Sequence, residues 1–203
     1  YEQVQQVRDS ENVALPNGLS PEVIEALFGA YDSLLSARRS RHPLELVTSE
    51  PLITLDETGS VTEMGERSSL ESHQLIEEFM IAANIAAAIA LERARQSFLY
   101  RAHEVPPPDK LESFRDFVDS LGMNLPKGHI IRAQSFNTLL AQAKKDGTSR
   151  MVSDAVLRCQ AQARYTPEDL GHFGLALRRY SHFTSPIRRY PDLMVHRALI
   201  EAL

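Results

Sequence analysis

The stretch Leu70–Ala94, LESHQLIEEFMIAANIAAAIALERA, decides the reading of this chain. Leu75, Phe79, Ala82, Ala83, Ala86 and Ala90 recur at helical spacing, and Ile76, Met80, Ile81, Ile85, Ile89 and Leu91 fill most of the other faces. A helix that is apolar nearly all round belongs in a core. The pattern predicts one long buried helix over Ser69–Gln96. Within it His73, Glu77 and Asn84 fall along one stripe, at spacings of four and seven. A buried carboxylate or amide needs a partner. Two readings stay open: a core polar network with Glu77-Glu78 at a solvent-facing end, or a carboxylate lining a site.

Working outward, Glu2–Arg8 is a short helix and Asp9–Gly18 a polar loop. Ser20-Pro21-Glu22 is a helix start, a capping hydroxyl before a proline, for a helix to about Arg39. Leu44–Thr48 alternates and is rich in strand formers. Pro51–Leu55 and Ser60–Met64 flank Asp56-Glu57-Thr58-Gly59, a hairpin turn. Downstream, Phe98–Glu104 reads as a strand, Pro106-Pro107-Pro108 as a rigid spacer and Asp109–Leu121 as a helix. Helices follow near 134–146 and 150–162. Gly171–Leu177 is compact and apolar, a strand candidate, and a last helix carries Pro191 as a kink or a restart. Helices dominate, and the few strands are segregated from them, so the expected class is α+β.

The chain has 203 residues, with 43% hydrophobic and 24% charged residues. These are ordinary values for a globular protein. The longest uncharged apolar run, Phe79–Leu91, falls short of the ~20 residues of a membrane span, so no membrane partner is expected. The single cysteine, Cys159, excludes an internal disulfide and cysteine-rich zinc sites, and fits a reducing, cytoplasmic setting. A net charge of −5 excludes a globally basic nucleic-acid binder, so any anion site must be local. The chain opens on Tyr1 rather than methionine and has no signal-peptide pattern, so it reads as part of a longer one.

The strongest local signal is at 182–197, HFTSPIRRYPDLMVHR. Ser185-Pro186 reads as a helix start, and a helix N-terminus favours acids over arginines. Arg188 and Arg189 oppose that rule, and the simplest compensation is a bound anion. Tyr180, His182, Thr184, Ser185, Tyr190, His196 and Arg197 crowd the same region, with Arg178 and Arg179 just before. Arginine forks match phosphate oxygens, and aromatic rings beside them suit bases and sugars. The bland alternative for the arginines is salt bridging. Asp192 and His196, four apart, read first as an ordinary helical contact.

Other features are weaker. Cys159 lacks a base in sequence and reads as a core residue. His172 and His182 form no metal motif and read as structural. There is no Gly-rich phosphate loop, G-x-S-x-G or H-E-x-x-H. The aspartates are scattered, with no D-D and no D-x-D, so no two-metal centre is evident and no metal ligand is assigned.

Taken together, the segments resemble the ribonuclease II and ribonuclease R family of exoribonucleases. HFTSPIRRYPDLMVHR resembles the family signature and LIEEFMIAAN its long-helix motif. LYRAHEVPPPDKLESF, LRCQAQARYTPEDLGHFGLAL and YEQVQQV are similar to further family segments. The matches are collinear over nearly all of residues 1–203, and their fullness favours the ribonuclease R-like branch.

That resemblance implies a processive, hydrolytic 3′-to-5′ exoribonuclease releasing nucleoside 5′-monophosphates from single-stranded RNA with Mg²⁺. It implies that residues 1–203 are the C-terminal portion of one catalytic domain. The metal-binding aspartates would lie upstream of Tyr1, with the cold-shock-like and S1 domains also outside the chain. Position by position, Arg188 matches the arginine at the scissile phosphate and Glu77 the glutamate on the 3′-terminal sugar. Tyr1 matches a channel tyrosine on the RNA. Arg189, Thr184, Ser185 and Tyr190 shape the channel wall. Leu46 stands where ribonuclease II has a base-clamping aromatic, and is not taken as a site residue.

Three readings follow. The first is part of an exoribonuclease, inactive in isolation because its metal ligands are elsewhere. The second is a non-catalytic RNA-binding remnant of the same family. The third is a helical scaffold using its arginines for salt bridges, which the collinear motifs disfavour.

Overall fold

A computed structural model describes residues 1–9, 20–46, 51–56, 58–66, 69–128 and 130–202. The elements run α1 (Glu2–Asp9), α2 (Pro21–Arg41), β1 (Pro51–Leu55), β2 (Val61–Glu66), α3 (Glu71–Arg93), β3 (Tyr100–Ala102), α4 (Pro108–Ser120), α5 (Ala133–Lys145), α6 (Ser149–Cys159), β4 (Arg164–Thr166) and α7 (Tyr190–Ala202). Helix predominates and the strands form two small antiparallel pairs, which is the α+β class. The chain forms two compact units, Tyr1–Leu34 with Val47–Phe79, and Leu35–Leu46 with Met80–Leu203. Helices α2 and α3 each contribute to both.

In the first unit, Ile24, Phe28 and Tyr31 make one buried face of α2. The Arg8 guanidinium lies 4.7 Å over the Phe28 ring. The Tyr31 hydroxyl donates to Gln74 Oε1 at 3.0 Å. The first amides of a helix have no partner within it. At the start of α3, Gln5 Oε1 takes one of them, the Ser72 N–H, at 2.9 Å. β1 and β2 pair antiparallel, with an irregularity between Thr54 and Leu55. Asp56 Oδ1 closes their turn by accepting the Thr58 and Ser60 amides and the Thr58 hydroxyl. Gly59 adopts φ 82°, a left-handed conformation that suits glycine.

The second unit is built on α4, α5 and α6. Leu111, Phe114 and Val118 pack with Phe136, Leu139 and Ala143 and with Val152, Val156 and Cys159. The spacings of three and four within each triplet are the sequence cause of this three-helix core. Each large side chain buried there contributes about 1.5–3 kcal/mol. A smaller cluster, Ala87, Leu91, Val195 and Ala198, joins α3 to α7. β3 pairs antiparallel with β4, Tyr100 opposite Thr166 and Ala102 opposite Arg164.

Several expectations change. Leu44–Leu46 is not a strand: the Leu44 N–H donates to the Gly174 carbonyl at 2.8 Å and the Glu45 N–H to Asn137 Oδ1 at 2.9 Å. The leucines pack on the helical core, so the alternation records burial without a ladder. Val47 and Thr48 lie outside the described residues, as do Glu57 and all but Asp9 of the polar loop Asp9–Gly18. Asp9 itself ends α1. Gly171–Leu177 is a turn pinned by single bridges, His103 to His172 and His172 to Leu177. The strand at 98–104 shrinks to Tyr100–Ala102, and its partner β4 was not anticipated.

The last helix starts at Tyr190, not at Ser185-Pro186. Pro191 lacks an N–H and fits a first helical turn, so the helix begins around it. Arg188 and Arg189 therefore precede the helix, and Asp192 occupies its acidic first turn, as the helix dipole favours. α3 is also less enclosed than predicted, since Ile76, Glu77, Ala86 and Ala90 are exposed. By length and composition α3 could cross a membrane. Here Ala88 and Leu91 are fully buried in protein, and Asn84 is 2% exposed.

Candidate functional site

Residues 180–189 form a loop clasped from both sides within the second unit. On one side stands Asn84 of α3. Its Nδ2 donates to the Tyr180 hydroxyl at 3.1 Å, and its Oδ1 accepts the Phe183 and Thr184 amides at 2.8 and 3.3 Å. On the other side stands α7. Asp192 Oδ1 accepts the Ser185 amide at 2.9 Å and the Arg189 Nη2 at 2.7 Å. His196 Nε2 sits 2.9 Å from the Phe183 carbonyl, and its ring stacks on Phe183 with centroids 4.3 Å apart. A carbonyl only accepts, so His196 carries its proton on Nε2. Asp192 and His196 thus each hold the loop rather than each other.

The loop entry is fixed too. The Arg101 amide donates to the Tyr180 carbonyl at 2.8 Å, and the Ser181 hydroxyl to the Leu99 carbonyl at 2.7 Å. His182 pairs with the Tyr165 hydroxyl at 2.8 Å. Burial, and then the Arg189 charge, push the His182 imidazole down to about 4, so it is neutral near pH 7.

This scaffold separates the two arginines. Arg189 is tied to Asp192, a carboxylate with no exposed surface. The tie supplies the negative charge that the sequence left missing at Arg189. Arg188 is exposed, and its Nη2 meets the Ser185 hydroxyl at 3.4 Å. It makes no ion pair among the described residues. Thr184 Oγ1, Arg189 Nε and Asp192 Oδ2 are buried without a protein partner among the described residues. Tyr190 opens α7 with 65% of its surface exposed, and Thr184 and Ser185 are half-buried.

Tyr1 and Glu77 belong to the first unit. Tyr1 is 60% exposed and stacks on His73 with centroids 4.3 Å apart. Glu77 is exposed on α3, while its neighbour Glu78 is buried. The predicted stripe of His73, Glu77 and Asn84 therefore divides: Glu77 faces outward, and Asn84 is buried in the second unit. Cys159 sits in the three-helix core, where burial pushes its thiol up to about 11. Leu46 is half-buried against that core and lines a cavity of about 530 Å³.

The RNB domain model matches residues 1–203. The chain belongs to the RNB domain family. Ribonuclease R of Vibrio cholerae is 40% identical over 176 residues, 87% of this chain and 21% of that protein. Two solved structures of Mycoplasma genitalium RNase R share the fold. One, in complex with ribose-methylated single-stranded RNA, has TM-score 0.84 and 27% identity, over 98% of this chain and 31% of that one. The other, in complex with double-stranded RNA, has TM-score 0.85 and 28% identity, over 100% and 36%. The chain thus spans roughly a fifth of the curated relative's length.

The family implies a metal-dependent nuclease. Among the described residues no group of three or more His, Cys, Asp or Glu side chains is placed to hold a metal ion. The described residues do not by themselves fit a metal centre. Sequence reasoning flagged Asn84 as needing a partner but could not name the loop amides, which lie 99 and 100 residues away. It missed the pairing of His103 with His172, whose ring centroids are 5.0 Å apart.

Proposed function

We propose that this RNB chain forms part of the catalytic domain of a 3′-to-5′ exoribonuclease acting on single-stranded RNA. The observation that carries this reading is Arg188: a cation on a loop clasped from both sides, with no carboxylate partner among the described residues. Its planar fork suits two oxygens of a phosphodiester, and a donor held in place stabilises charge that develops at phosphorus. Asn84, Asp192 and His196 act through the loop by fixing its backbone. Glu77 is assigned to the 3′-terminal sugar and Tyr1 to the RNA near the cleavage point. Thr184, Ser185 and Tyr190 are assigned to the channel wall, where the exposed Tyr190 ring offers a stacking face. Arg189, bound to Asp192, supports the wall from within.

The reading extends to processive hydrolysis, nucleoside 5′-monophosphate products and Mg²⁺ held by residues outside this sequence. It includes a cytoplasmic location, which the single cysteine, Cys159, fits. Residues 1–203 alone are expected not to hydrolyse RNA, since no metal-binding group is present among the described residues.

The test uses the full-length protein and a 5′-labelled single-stranded RNA. Stepwise shortening from the 3′ end, with mononucleotide release, is expected. Arg188→Ala is expected to lower turnover by roughly 10²–10³-fold with little change in RNA affinity, as loss of a transition-state donor does. No shortening, or a loss confined to binding, overturns the reading.

A further inference from the structure

A second feature of the second unit lies outside the clasped loop. A cavity of about 490 Å³ opens between the residues that follow α2, the start of α5 and the 170–178 turn. That volume is within the range of small-molecule sites. Arg41, Arg132, Arg178 and His42 line it, and among the described residues no carboxylate does. In a chain of net charge −5 this is a marked local excess of positive charge. Arg132 and Arg178 are exposed and make no ion pair among the described residues. A cleft lined by one sign of charge focuses its field and concentrates counter-ions.

The rest of the wall has a different chemistry. Val105, Ile131, Leu170 and Phe173 add apolar surface to it, beside the polar Ser40 and Gln134. His103 and His172 also line the cavity. Their Nδ1 atoms accept the Gly174 and Leu175 amides at 3.1 and 3.2 Å, so each neutral ring carries its proton on Nε2. Burial holds both imidazoles below their usual range, His172 at about 3, so they add no charge near pH 7. His42 and Ala176, both in the wall, adopt left-handed φ of 51° and 52°. Such backbone is strained for residues with a Cβ, and it concentrates at functional sites.

A bare inorganic anion would use the arginines and leave the apolar wall to water. A ligand with a compact dianion at one end and a flat, weakly polar body at the other uses both. We propose that this cavity binds a nucleoside monophosphate, with its phosphate on Arg132 and Arg178 and its base against Leu170 and Phe173. The guanidinium forks engage the phosphate oxygens in pairs. The inference does not rest on the role assigned to Arg188.

The test is calorimetric titration of the full-length protein carrying Arg188→Ala, so that the clasped loop contributes no phosphate contact. The probes are adenosine 5′-monophosphate, adenosine and inorganic phosphate. Saturable binding of the monophosphate is expected, at least tenfold tighter than either half alone. Arg132→Gln with Arg178→Gln is expected to weaken it at least tenfold. Leu170→Asp, which places a negative charge in the wall, is expected to do the same. No saturable binding, binding no tighter than inorganic phosphate, or an affinity unchanged in the double variant overturns the proposal.

Discussion

Asn84 and Phe183 stand 99 residues apart in sequence, and the side-chain oxygen of the first accepts the backbone N–H of the second at 2.8 Å. The same oxygen takes the Thr184 amide, and Asn84 Nδ2 reaches the Tyr180 hydroxyl. One side chain on α3 thus sets the path of the loop that carries Arg188.

Asn84→Ala leaves two loop amides without their acceptor and removes the donor to the Tyr180 hydroxyl. A buried donor left unsatisfied costs about 1–3 kcal/mol. Turnover on RNA should fall in the full-length protein, with helical content by circular dichroism unchanged. Asn84→Asp keeps an acceptor for both amides and should recover part of the turnover. Equal losses in the two variants would contradict the positioning role.

The two arginines should separate under mutation. Arg189 donates to a carboxylate with no exposed surface, and hydrogen bonds to charged groups contribute about 1.5–3 kcal/mol. Arg189→Ala should lower stability in urea denaturation by about that amount, because Asp192 loses its counter-charge. Arg188→Ala should leave the denaturation midpoint unchanged while lowering turnover. A destabilised Arg188→Ala would show that Arg188 serves the fold instead.

Acid should loosen the second unit. His172 and His182 are held at about 3 and about 4, by burial first, and regain the ordinary value of 6.5 on unfolding. The unfolded chain then binds more protons than the folded one at every pH between these values. Stability is therefore full above pH 6.5 and falls as pH drops from 6.5 toward 4. Urea midpoints at pH 7.5 and 5 measure this. His172→Gln and His182→Gln should each flatten the slope in that window.

Cys159 should be slow to react. With its thiol near 11, roughly a thousandth is thiolate at pH 8, and the sulfur is 3% exposed with its residue. A thiol reagent should label native protein far more slowly than protein in 6 M guanidinium. Equal rates would place Cys159 outside the core.

The legible parts of this chain were those set by local periodicity. The spacings along α3, α4, α5 and α6 predicted helices within a few residues of where they stand. Asp56 and Gly59 marked a turn whose chemistry is contained in five residues. What failed depended on distant partners. Leu44–Leu46 alternates like a strand, yet its amides go to Gly174 and Asn137, and no local signal names either. Ser185-Pro186 has the form of a helix start, but Asp192 captures the Ser185 amide and the helix begins five residues later, at Tyr190. In the candidate site, Arg188 and Glu77 stood out from the residues themselves, while their specific roles, and Tyr1 altogether, came from resemblance. The clasp of Asn84, Asp192 and His196 came from geometry, because Asn84 in particular bonds to backbone amides that carry no sequence identity.

The ring closed by Asp192 on Ser185 encloses seven residue steps. Each residue added to or taken from a helix turns it by about 100°. Insertion or deletion of one residue in the helical end of that ring, between Tyr190 and Asp192, would swing Asp192 and His196 away from the loop together. The segment behaves as a ruler: its letters can change, its count cannot. A chain that uses the same clasp keeps the same number of residues there, whatever it writes between them.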